Sequence, residues 1–133
     1  MDTKITADNE RSSVINIGGV EYELLLTTRA TKSIAKRYGG LESLGDKLLK
    51  AENLELALDE LIYLIALLAN QSIMLYNLRN KDNPKPLLTE EELELLTSPF
   101  ELAEYKTAIT QAMFRGAQRH IVSEGDEKNA EVL

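Results

Sequence analysis

The sequence predicts a mainly α fold, a small helical domain with an N-terminal β-hairpin. Only Val14 to Leu26 alternates as a strand pair does, around Gly18-Gly19. From Thr28 onward, apolar residues recur at three- and four-residue spacing. Aromatics are 5% of the chain and Trp is absent, so the core falls to Leu, Ile and Ala, which suits helix packing better than a β-sandwich. At 133 residues, 44% hydrophobic and 28% charged, the chain fits one domain with a core of its own.

Each element has a local reason. Residues 1–13 are polar and read as a disordered arm ahead of a domain over 14–122. Val14 and Ile15 lead into the hairpin, and Gly18-Gly19 supplies the positive φ of a two-residue turn. Val20, Tyr22 and Leu24 share one strand face, with Glu21 and Glu23 on the other. One hairpin is marginal in water, so its apolar face must rest on helices. Thr27 or Thr28 caps the next helix, in which Ala30, Ile34 and Ala35 fall at helical spacing, and Tyr38-Gly39-Gly40 stops it. A short helix over Leu41–Lys50 turns Leu41, Leu44, Leu48 and Leu49 inward, and Asn53 caps a long helix over Leu54–Arg79. "NKDNPKPLLTE" is a loop. Thr89 with Glu92 has capping-box spacing for a short acidic helix, Glu90–Leu96, and Ser98 with Glu101 repeats it. The last helix, Pro99 to Val122, carries the stripe Leu102, Tyr105, Ile109 and Met113, with Ala112 beside it. Residues 123–133 form a polar tail.

Charge and composition narrow the function. A net charge of −7 argues against nucleic acid and anionic membranes, both of which need clustered cations. The absence of Cys removes disulfides, thiolate metal sites and a Cys nucleophile. The N-terminus has no apolar signal segment, and the longest unbroken apolar run, Leu61 to Ala69, is short of a bilayer span. The expectation is a cytoplasmic protein. His120 is the single histidine, beside Arg119 and five residues after Arg115; such residues suit a helix C-terminus, and no nucleophile accompanies them. Glu90, Glu91, Glu92 and Glu94 point to different sides of a helix and make a poor metal cage. Neither Gly-Gly pair has phosphate-loop spacing. No enzyme, cofactor or metal is expected.

One feature is left over. The long helix carries two apolar stripes: Leu54, Leu58, Leu61, Ile65 and Leu68, and a second of Leu56, Tyr63, Leu67, Met74 and Leu78. Between them only Glu55, Asp59, Asn70 and Asn77 keep a polar strip. The second stripe is either further core or a surface for a partner or for self-association, since a large exposed apolar face usually marks an interface.

"INIGGVEYELLLTTRATKSIAKRYGGLESL" resembles the front of the tail assembly chaperones of long-tailed bacteriophages and prophages of Gram-positive hosts. Ile15, Ile17, Gly19, Tyr22, Leu24, Ala30, Ile34, Tyr38 and Gly39 carry the resemblance, which extends in element order over residues 14–122. It implies a non-enzymatic protein that binds the apolar, helical tape measure protein, keeps it soluble and helps recruit tail tube protein. It also implies a role in the host cytoplasm and absence from the finished virion. A small acidic helical adaptor or regulatory domain is the alternative.

Overall fold

The computed structural model describes residues 12–40, 42–44 and 54–113. Its elements run β1 (Ser12–Ile17), β2 (Val20–Leu25), α1 (Thr28–Tyr38), α2 (Leu54–Arg79), α3 (Glu90–Leu96) and α4 (99–113), with one helical turn at 42–44. The protein is a mainly α domain with one N-terminal antiparallel hairpin. The first strand starts two residues earlier than the sequence suggested. Ser12 pairs with Leu25, and Ser13 is buried with its hydroxyl donating to the Ala108 carbonyl at 2.6 Å.

The hairpin turn sits where two glycines permit it, with φ of 58° at Gly18 and 86° at Gly19. Ile15 pairs with Tyr22 and Ile17 with Val20, so Ile15, Ile17 and Leu24 bury one face together. Val20 belongs to that face but lies beside the turn and is half exposed. A two-stranded sheet has two open edges, and both are partly closed by helices. At the β1 edge, the Tyr105 hydroxyl of α4 donates to the Asn16 carbonyl. At the β2 edge, the Ser72 hydroxyl of α2 donates to the Glu23 carbonyl at 2.8 Å.

Thr27 is the N-cap of α1 and accepts from the Ala30 amide at 3.0 Å. Its hydroxyl donates to the Gln71 side-chain oxygen, and the Gln71 amide donates to the Leu67 carbonyl at 3.0 Å. Gln71 is thereby satisfied although only 5% exposed. Ala30 and Ile34 are buried as expected; Ala35 is exposed, because the inward arc of so short a helix ends at Ile34. Gly39, at φ 93°, ends α1 with its N–H on the Ala35 carbonyl. Leu44 is buried, whereas Leu41, Leu48, Leu49 and the rest of the expected short helix lie outside the described residues.

α2 is the central element, about 39 Å long at 1.5 Å per residue. Its apolar residues Leu61, Leu64, Ile65 and Leu68 are buried against β2 and α3. Each such side chain contributes about 1.5–3 kcal/mol. The stretch Ala57–Arg79 is long and apolar enough to cross a membrane by length and composition, yet half of its most apolar window is buried inside this fold. α2 ends at Arg79, where the Asn80 side chain donates to the Tyr76 carbonyl at 2.8 Å and prolines follow at 84 and 86.

Both capping boxes form. Thr89 and Glu92 exchange side-chain-to-backbone bonds at α3, and Ser98 and Glu101 do so at α4. In α4, Leu102, Tyr105, Ile109, Ala112 and Met113 face inward. The expected extension to Val122, and with it Arg115, Arg119 and His120, lies outside the described residues.

Candidate functional site: a groove beside the second strand

The second stripe of α2 faces α1. The Arg37 guanidinium lies 4.0 Å from the centre of the Tyr63 ring, and Tyr38 meets the same ring edge-on at 6.2 Å between centroids. Arg29 reaches the Met74 sulfur at 3.6 Å. Tyr63, Leu67 and Met74 are half-buried, and Leu78, beyond the end of α1, is 66% exposed. Leu56 stands in the first turn of α2, and its side chain lies outside the described residues. The stripe is therefore not bare. α1 lies along it, and Leu78 is its most open described member.

A polar cluster locks this contact. Arg37 pairs with Glu60 at 3.4 Å, and the Tyr38 hydroxyl donates to the same carboxylate. Burial and then the bond to Glu60 raise the Tyr38 pKa above its ordinary value. Partial burial opposes the Arg37 charge, but its bonds to Tyr38 and Glu60 outweigh that and its pKa also rises.

The larger opening lies on the other side of α2. At about 100° per residue, the core stripe Leu61, Ile65, Leu68 continues as Ser72, Leu75, Tyr76 and Arg79. Past Ser72 the cover runs out. A groove of about 840 Å³ opens between β2 (Val20 to Glu23) and the segment 80–89, with α2 as its floor. Ile73, Leu75, Tyr76, Tyr22 and Pro86 supply its apolar lining. Lys85 lies over the Tyr76 ring, its Nζ 4.4 Å from the centroid. The spacing of the first stripe contains this floor, but the sequence does not show that its cover ends at Ser72.

The far wall is held by two asparagines. The Asn77 side chain donates to the Lys85 carbonyl at 2.9 Å and accepts from the Lys85 amide at 2.7 Å. Asn70 does the same for Leu88, at 2.8 and 2.7 Å. These residues read in the sequence as a plain polar strip; they are a two-point strap that fixes 80–89 against α2.

A smaller opening of about 360 Å³ lies between the first half of α2 and the α3–α4 junction, lined by Leu58, Ile62, Thr97, Pro99 and Leu102. Near this junction Leu95, Leu96 and Phe100 are 80%, 48% and 74% exposed. Among the described residues no group of three or more His, Cys, Asp or Glu side chains converges as a metal site would. The geometry offers apolar surface and hydrogen-bonded walls. Comparison of the chain with family models, with curated proteins and with solved structures found no match.

Proposed function

We propose that this protein is a non-enzymatic chaperone of the tail assembly type, which holds an apolar helical segment of a tape measure protein and keeps it soluble while tail tube protein is recruited. The groove beside β2 carries the reading. It is the core face of the longest helix continuing without a cover, in a protein whose net charge of −7 keeps such a surface in solution. The residues that carry the family resemblance support it through the fold they build. Ile15, Ile17, Leu24, Ala30 and Ile34 are buried, and Gly19 and Gly39 take positive φ. Self-association through the same surface is an alternative use of it.

The test is coexpression of the full chain with tape measure segments of the same phage or prophage. Wild type should shift the client into the soluble fraction and copurify with it. Leu75→Asp with Tyr76→Asp should abolish capture while the chain keeps its helical circular dichroism. Capture that survives this pair places the client elsewhere. A client equally soluble without the protein ends the chaperone reading.

A further inference from the structure

The charged side chains that face the groove are cations. At about 100° per residue Ser72, Tyr76 and Arg79 share one face of α2, so Arg79 carries the floor to its end. Lys85 leans in from the strap, its Nζ 4.4 Å from the centre of the Tyr76 ring. Val20 and Tyr22 line the opposite wall, and the two-residue period of the strand turns Glu21 and Glu23 to its other face. Among the described residues neither Arg79 nor Lys85 pairs with a carboxylate. We infer that the groove takes an amphipathic helix of a partner protein whose apolar stripe is flanked by Asp or Glu, with those carboxylates lying over Arg79 and Lys85. The inference rests on the reading of the groove as a partner-holding surface and adds the charge its occupant carries.

Two cations beside an apolar floor are a basic island in a chain of net charge −7. At a distance the protein repels an acidic partner, but at contact these two side chains attract it, and a basic partner meets the reverse. Local complementarity of this kind selects a partner more than it tightens binding. A helix is favoured over an added strand because the main chain of both walls is engaged. The Glu23 carbonyl accepts from Ser72, Asn77 takes both peptide groups of Lys85, and Asn70 takes both of Leu88. Strand addition needs an unbroken run of alternating main-chain bonds, and neither wall has one to give. The floor spans Ser72 to Asn80, about 12 Å of helix and about two turns of a helical ligand.

The experiment titrates the full chain with three synthetic helical peptides that share one Leu stripe and differ only in its flanks: Glu in the first, Gln in the second, Lys in the third. The Glu peptide should bind about tenfold tighter than the Lys peptide, since two exposed ion pairs replace two like-charge contacts, and the Gln peptide should fall between. Salt screens the distant repulsion along with the close pairs, so reversed charges are the sharper control. R79E/K85E changes two exposed side chains, should keep its helical circular dichroism, and should reverse the order of the peptides. A nitroxide on the Glu flank should broaden the amide signals of Asn80 and Lys85 and spare those of α1. Absence of binding, equal affinity for the Glu and Lys peptides, an order that R79E/K85E leaves unchanged, or broadening on α1 overturns the inference. So does a dimer of the peptide-free protein in sedimentation that R79E/K85E dissolves, because the occupant is then a second copy. The chain has no Cys, so Ala7→Cys and Ala130→Cys each accept a single nitroxide. Broadening of Leu75 and Lys85 from either label in the peptide-free protein overturns the inference too, assigning the groove to the chain's own end. Acid-selective peptide binding without tape measure capture defeats the chaperone reading alone, and capture with no preference among the peptides defeats this inference alone.

Discussion

Two tyrosines tie distant parts of the chain through their hydroxyls, Tyr38 to Glu60 and Tyr105 to the Asn16 carbonyl. Both pKa values lie above the ordinary 10.0, through burial first and then nearby carboxylates: Glu60 for Tyr38, and Glu101 and Glu104 for Tyr105. The fold thus favours the protonated hydroxyl. Its contribution is fully present below pH 10 and is lost as pH rises from there through the higher folded-state values. Thermal unfolding followed from pH 8 to 11.5 should show the melting temperature of wild type falling above pH 10. A Tyr38→Phe/Tyr105→Phe double variant should be less stable at pH 8, but the gap should narrow as the pH climbs; a constant gap would sink the argument. The Tyr105 stripe was legible from its spacing. The bond of Tyr105 to Asn16 was not, because helical periodicity tells which way a ring faces and not which carbonyl, 89 residues away, awaits it.

α2 presents three different environments along one helix, and aspartate substitutions should read them out in urea unfolding. Leu61→Asp places a carboxylate in the core and should cost several kcal/mol or unfold the domain. Leu78→Asp, on the open end of the second stripe, should fall within about ±0.5 kcal/mol of wild type. Leu67→Asp, half-buried under α1, should lie between them. If Leu67→Asp is as harmless as Leu78→Asp, α1 does not cover the stripe. The C-terminal end of α2 was legible, as were both capping boxes, because Thr, Ser and Pro act locally; the expected Asn53 cap lies outside the described residues. Its two apolar stripes were legible too, but not which of them stays open. That depends on where α1 docks and where the hairpin ends, and both are decided by contacts far apart in sequence. Asn70 and Asn77 escaped notice for the same reason, since each binds a peptide 8 to 18 residues ahead.

At the scale of the whole molecule, the two described strands are finished by the last described helix. Ser13 and Asn16 on β1 bond to Ala108 and Tyr105 on α4. Removing everything after residue 97 should therefore strip the hairpin amides of protection in hydrogen exchange, with α2 losing less. A truncated chain that keeps its hairpin amides protected would show that the strands stand without α4. The same dependence has a consequence for synthesis. A ribosome releases the hairpin long before it makes Tyr105, and an isolated hairpin is marginal in water. During that interval the outer edge of β1 has no α4 to close it, the state in which strand edges pair with the wrong chain. Stable folding of the hairpin therefore waits for α4, and neighbouring nascent chains on one message are the hazard the late helix removes.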